Sequence, residues 1–294
     1  MPMPKIDLRL SEIPPPKHEA RTIYTDLVNL PDPARLGVTV KVFNFDDVTL
    51  WMRVDGYATG WTFNTVNLGS LAQGLNMYRN LDNLGYRAKP SSETQENVVI
   101  RLRGYADAGY TQLKWTFERL VSVWFINSAD YTQDVLNNFD DGTVQGWATA
   151  GELNQFGGYP TLGVASDYAL SPPYSLKMIN RSGAAGETRA RIYKSFATPD
   201  RAKVFAVLDW RTEEDVAYGA YPRYLKATRD TLALTFLGQY GAGASAIPCG
   251  KWMRLVVPLP RNITMEIRVI EHSYTSTVKD IPLWMDDFKI ISKA

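Results

Sequence analysis

Apolar and polar residues alternate along the chain in short stretches, beginning near residue 38. Val38, Val40, Val42 and Phe43 start an apolar series that breaks at Asn44-Phe45-Asp46-Asp47. Val48, Leu50, Met52 and Val54 then alternate with Thr49, Trp51, Arg53 and Asp55. Successive side chains of an extended strand point to opposite faces, so a period of two marks a half-buried strand. Gly56 and Gly60 mark the next turns, and Val98, Ile100 and Leu102 alternate against Val99, Arg101 and Arg103. After Gly104 and Gly109, Phe117, Val121, Val123 and Phe125 keep one phase of the same period. Short strands separated by Gly-bearing turns predict a β-sandwich over residues 37–127.

The flanking segments read differently. Residues 1–36 carry Pro2, Pro4, Pro14, Pro15, Pro16, Pro31 and Pro33, which favour extended conformation over a packed element. This segment is read as an extended arm that docks on a neighbouring subunit, with a free tail as the alternative. Residues 128–136, NSADYTQDV, read as a polar linker, and from residue 137 to 294 a second β-module starts afresh. The stretch at 212–230 has some helical propensity, but Gly219 and Pro222 interrupt it, so it reads as a loop with at most a short turn. The fold class is therefore all-β: two tandem antiparallel sandwiches behind a proline-rich arm.

Composition narrows the chemistry. The 294 residues include 32 basic and 31 acidic side chains, a formal charge of +1 that gives no field for coating nucleic acid. One Cys excludes an intrachain disulfide, thiolate zinc clusters and iron–sulfur centres. His18 and His272 are too far apart in sequence to suggest a multi-His metal centre. No apolar run reaches the length of a membrane span or a secretory signal, which implies synthesis in the cytoplasm without a visible signal peptide. No G-x-S-x-G, Walker loop or H-E-x-x-H occurs. Gly241-Ala242-Gly243-Ala244 lacks the Lys-Ser/Thr of a phosphate loop, and Cys249 has no His near it in sequence to activate it.

Two stretches carry family likenesses. VTVKVFNFDDVTLWMRVDGY followed by NLGSLAQGLN resembles immunoglobulin-like, cell-adhesion-related β-sandwich modules. In the second half, LNNFDDGTVQGWATAGELN, SPPYSLKM at 171–178, GKWMRLVVPLP at 250–260 and LWMDDFKIIS at 283–292 appear in order. This set resembles jelly-roll carbohydrate-binding modules, including families four and twenty-two, an architecture that serves many unrelated roles.

A jelly roll brings its first and last strands into one sheet. That topology would place Asp140 and Asp141 near Asp286 and Asp287. Such carboxylates with nearby carbonyl oxygens suit Ca²⁺, a hard cation that takes six to eight oxygens. The resemblance implies the same site, with Asp140 and Asp286 as ligands and Gly142 and Lys177 contributing main-chain oxygens only. The alternatives are solvated turn carboxylates or an Asp–Lys pair. Paired carboxylates also cleave glycosidic bonds, but these lie in strand motifs without an apolar pocket to raise a pKa.

Trp147, Trp252 and Trp284 fall within the strand motifs and are expected to pack in the core. The segment DWRTEEDVAYGAYPRY offers Trp210, Tyr218, Tyr221 and Tyr224, with Arg211, Glu213 and Asp215 as polar partners. Aromatic rings beside charged groups suit either the apolar face of a pyranose or a subunit interface, where Tyr, Trp and Arg are also enriched. The expected role is a non-catalytic structural or adhesive protein, a virion or extracellular-surface subunit that meets copies of itself or other subunits through residues 1–36. The alternative is a carbohydrate-binding protein that recognises a polysaccharide or cell-surface glycan.

Overall fold

The computed structural model describes residues 6–9, 22–28, 30–153, 160–181, 186–212, 223–229, 232–239, 250, 252–275 and 280–294. The chain divides into two compact units, Pro2–Asn127 and Ser128–Ala294. Among the described residues, no helix is long and apolar enough to cross a membrane.

The N-terminal unit contains β1 (Ile6–Arg9), β2 (Thr22–Asp26), β3 (Ala34–Phe43), β4 (Leu50–Tyr57), β5 (Thr62–Phe63), β6 (Val66–Leu71), β7 (Asn76–Arg87), β8 (Thr94–Tyr105) and β9 (Leu113–Ile126). They form a sheet of order β1-β3-β7-β5 and a second of order β2-β9-β8-β4-β6. One core joins the sheets: Val38, Val40, Val42 and Leu84 from the first meet Leu50, Met52, Val54, Ile100, Leu102 and Phe125 from the second. The alternation that the sequence shows is thus the inward phase of each strand.

The docking arm is corrected here. Its described parts are strands of the unit's own sandwich, since β1 pairs with β3 and β2 pairs with β9, both parallel. Leu27 continues the edge by donating its backbone N–H to the Ile126 carbonyl at 2.7 Å. The prolines flank these strands rather than interrupt them, and a short strand offers too little alternation to stand out beside them.

The C-terminal unit contains β10 (Thr132–Asn137), β11 (Ala148–Leu153), β12 (Thr161–Ala165), β13 (Ser175–Arg181), β14 (Gly186–Ala197), β15 (Lys203–Thr212), β16 (Arg223–Arg229), β17 (Leu232–Gln239), β18 (Met253–Pro258), β19 (Thr264–Thr275) and β20 (Asp280–Lys293). One sheet runs β12-β13-β20-β15-β18, with β10 also paired to β20; opposite it runs β11-β14-β19. β16 and β17 pair antiparallel as a ribbon. Two sequence expectations change. The polar linker contains β10, whose outward side chains are solvated, and the loop expected through residue 230 contains β16.

The core of this unit centres on Trp147, Phe196 and Phe288. Phe196 stacks on Phe288 with ring centroids 4.8 Å apart, and Trp147 meets both edge-on. The Trp147 indole N–H donates to Asn137 Oδ1 at 3.0 Å, so its polar atom is satisfied inside the core. The inward phase of β20 is Leu283, Met285, Phe288 and Ile290, which skips a residue at Asp286–Asp287. The register against β15 shifts at that point, and Asp287 takes a left-handed φ of 47°. This is a β-bulge, and it turns Asp286 outward while restoring Phe288 to the core.

If β2 belongs to its own unit, Ile23→Ala should cost about 2 kcal/mol or more in urea unfolding of that unit. Ile23 is 7% exposed. The loss should be the same at every protein concentration. A concentration-dependent loss would return this strand to an intersubunit role.

Candidate functional site

The four acidic residues expected to hold calcium have separate partners. Asp140 is exposed and accepts a hydrogen bond from Asn138 Nδ2. Asp141 is exposed and accepts from the backbone N–H and hydroxyl of Thr143, which hold its carboxyl below the usual range. Asp286 has no exposed surface. Its Oδ2 accepts the N–H groups of Leu170 at 2.8 Å and Ser171 at 3.0 Å, and its Oδ1 accepts the N–H of Asp287 at 2.8 Å. Asp287 meets the Ser171 hydroxyl, and Lys289 Nζ at 4.0 Å, the Asp–Lys alternative in its weak, partly solvated form. β10 and β20 do pair, yet Asp140 lies in the turn after β10. Among the described residues, no three His, Cys, Asp or Glu side chains group as a metal site would need. N–H dipoles converging on Asp286 use the lone pairs that a cation would require.

Asp286 acts instead as a structural clamp. It fixes the 168–171 segment over the sheet, helped by Ser175 Oγ, which donates to the Tyr168 carbonyl. Across the sheet, Asp286 stands opposite Asp209 of β15, and Asp209 opposite Arg254 of β18. Arg254 grips Asp209 through Nε at 2.9 Å and Nη2 at 2.6 Å. Burial pushes the Asp209 carboxyl upward, against the opposing pull of Arg254. Burial also raises Asp286 to about 6, with the backbone N–H groups of Ser171, Asp287 and Leu170 opposing the rise. Neither carboxylate is exposed, so this pair reaches no external substrate.

The expected aromatic platform is also redistributed. Trp210 is 1% exposed and belongs to the core with Val204, Ala206 and Leu208, the inward phase of β15. It therefore presents no ring to a ligand. Arg211, one residue on, faces the other way and lies 3.8 Å from the Tyr168 ring centroid. Tyr168 in turn meets Trp284 edge-on at 5.0 Å, and the Trp284 indole donates to Asp167 at 3.0 Å. Trp147 and Trp284 are buried and Trp252 is half-buried. Tyr218 and Tyr221 lie outside the described residues, as do Glu213, Asp215, Cys249 and the 241–244 segment; Tyr224 falls in β16.

A different aromatic stands on the sheet β11-β14-β19. Ala190, Ile192 and Phe196 of β14 and Met265, Ile267 and Val269 of β19 point into the core. Arg191 and Tyr193 of β14 and Glu266 and Arg268 of β19, in the alternate phase, point outward. Tyr193 is half-buried, with Ala148 of β11 directly beside it and Arg268 of β19 on its other side. The Arg191 guanidinium lies 4.8 Å from the Tyr193 ring centroid. Arg268 Nε donates to Glu266, and both side chains are 25% exposed. An apolar ring face thus sits between a small residue and an Arg–Glu pair with donors and acceptors. The alternation Ala190, Ile192, Phe196 was the available sequence signal for this strand, and the Tyr between two of its members marks the outward phase.

No protein-family model and no curated protein matches the chain. Solved structures similar to it include one described as carbohydrate-binding modules from the β-sandwich superfamily, at 16% identity over 88% of this chain and 94% of that one, with a TM-score of 0.38. The CBM22-1 xylan-binding domain of Paenibacillus barcinonensis Xyn10C is 19% identical over 56% of this chain and 97% of that one, with a TM-score of 0.35. TmCBM27, described for specific mannan recognition, is 12% identical over 56% of this chain and 99% of that one, with a TM-score of 0.38. At these values the likeness says nothing about a ligand of this chain; its own strand pairings establish the sandwich.

The raised Asp286 carboxyl has a signed consequence. Its favourable contribution to stability is fully present below the unfolded value near 3.8 and is lost as pH rises through about 6. Asp286→Asn removes this titration. The mutant should gain on the wild type between pH 4 and 6, by up to roughly 3 kcal/mol, and the difference should be flat above pH 7. Urea midpoints across that range check it; a difference independent of pH would show that Asp286 does not titrate there.

Proposed function

We propose that this chain is a non-catalytic binding protein, and that the outward face of β11-β14-β19 in its C-terminal unit holds a saccharide. The observation that carries this reading is Tyr193, set between Ala148 and Arg268, with Arg191 against its ring and Glu266 hydrogen-bonded to Arg268. A tyrosine ring offers an apolar face with a polar edge, which matches the C–H face and hydroxyl rim of a pyranose. Ala148 adds little bulk beside the ring and leaves room for a sugar to lie flat. Glu266 supplies acceptors and Arg268 supplies donors in a fixed planar fork, and hydroxyl groups need both.

Rigidity favours this reading over a mobile loop contact. The residues stand on three adjacent strands and are held from behind by core side chains, so little conformational entropy is lost on binding. A non-catalytic role fits the carboxylates that the fold does bring side by side: Asp209 and Asp286 are buried and cannot reach a glycosidic bond.

A glycan array followed by calorimetric titration tests this. Tyr193→Ala should weaken binding of the array hits about tenfold or more, a change of about 1.4 kcal/mol. Tyr193→Phe should keep most of the affinity, and the melting temperature should stay within about 2 °C in both variants. Absence of any array hit, or unchanged affinity in Tyr193→Ala, would overturn the proposal.

A further inference from the structure

The N-terminal unit carries a second surface of different chemistry. On the sheet β2-β9-β8-β4-β6, β4 turns Trp51, Arg53, Asp55 and Tyr57 outward, and β8 turns out Arg101 and Arg103. The register sets Arg53 directly opposite Arg103 and Asp55 directly opposite Arg101. Asp55 is 6% exposed and accepts from Arg101 Nε at 2.8 Å and Nη2 at 3.2 Å, and from Arg103 Nη2. One buried carboxylate thus holds two guanidinium groups.

Arg53 beside them pairs with no carboxylate among the described residues. Its Nε donates to the neutral Asn67 amide oxygen at 2.8 Å, and its Nη groups have no hydrogen-bond partner among the described residues. Like charges directly opposite on a sheet are unfavourable, so Arg53 facing Arg103 is an arrangement that a bound anion would relieve.

The Arg53 guanidinium is also held in plane. Its carbon lies 4.3 Å from the Tyr110 ring centroid and 5.4 Å from that of Tyr105, and Trp51 meets Tyr110 edge-on at 6.3 Å. Tyr110 takes a left-handed φ of 56° in the β8–β9 turn. Asp107 braces that turn by accepting the backbone N–H groups of Thr111 and Gln112, at 3.0 and 2.6 Å. A guanidinium stacked on a ring leaves its edge free for bidentate contact with a planar or tetrahedral oxyanion.

We infer that this face binds an acidic saccharide, with Arg53, supported by Arg103, engaging a uronate carboxylate or a sulfate ester while Trp51 and Tyr110 flank the sugar ring. Two observations favour a sparsely charged sugar over a polyanion. The formal charge of the chain is only +1, which gives no extended positive field. In addition, the outward carboxylate of Glu118 stands opposite Arg101 and near the Tyr57 hydroxyl at 3.4 Å, which places a negative boundary next to the positive spot. The ligand therefore presents one acid group here, not a closely spaced row.

This inference does not rest on the Tyr193 reading. Calorimetric titration of the full chain at low salt tests it with a xylo-oligosaccharide bearing a single glucuronate and a monosulfated oligosaccharide as acidic probes, a neutral xylo-oligosaccharide, a single-stranded thymidine oligonucleotide and inorganic phosphate. At least one acidic saccharide should bind, and which one does so distinguishes uronate from sulfate recognition. Arg53→Ala should weaken that binding tenfold or more at unchanged melting temperature, whereas Tyr193→Ala should leave it unaltered. Equal or tighter binding of the oligonucleotide or phosphate, equal binding in Arg53→Ala, or no binding of either acidic probe would overturn the assignment.

Discussion

The bulge at Asp286–Asp287 governs the C-terminal unit. A strand with a strict period of two could not bury both Met285 and Phe288 on one face, and Phe288 is needed there to stack on Phe196 and receive the edge of Trp147. The extra residue resolves this conflict and turns the Asp286 carboxylate to the opposite side. A carboxylate without solvent must find donors, and it finds three backbone N–H groups, two of them from the 170–171 segment. The position of that segment, and of Tyr168 under Arg211, follows from one skipped residue in β20.

Both units use the same division of labour. A shared apolar core fixes the strands, and the outward phase of each sheet is free to carry chemistry. In the N-terminal unit that phase concentrates arginine and aromatic rings around Asp55, while in the C-terminal unit it sets Tyr193 between a small residue and an Arg–Glu pair. The N-terminal surface takes one ring, Tyr110, from the braced β8–β9 turn, whereas the C-terminal one stands on strands alone.

Much of this was legible in the sequence where the alternation was long. Leu50, Met52 and Val54 against Trp51, Arg53 and Asp55 identified both the buried and the outward phase of β4. Pairing could not be read the same way, because the position of Arg53 opposite Arg103 depends on register between strands distant in sequence. Trp210 was misplaced by grouping it with the tyrosines that follow; the series Val204, Ala206, Leu208, Trp210 assigns it to the core. The segment 128–136 read as a linker because β10 is solvated on most of its side chains, which erases the apolar signal without removing the backbone pairing. The acidic motif at 286–287 was legible as a feature, but its chemistry was set by N–H groups, which carry no sequence signature.

The parallel pairing of β2 with β9 bears on the order in which the N-terminal unit is assembled. Thr22 lies beside Ser122, a separation of 100 residues, so β2 is made well before the strand it pairs with. Until residue 126 has left the ribosome, Ile23 and Leu27 have no neighbouring strand to cover them, and the β3–β8 region must collapse without its outer edge. Loop closure over such a distance slows the final step, because its entropy is lost before the contacts it permits are made. The early strand β2 is thus a closing piece of its domain, and the nascent protein passes through an incomplete sandwich whose β9 edge is open to any other strand that reaches it first.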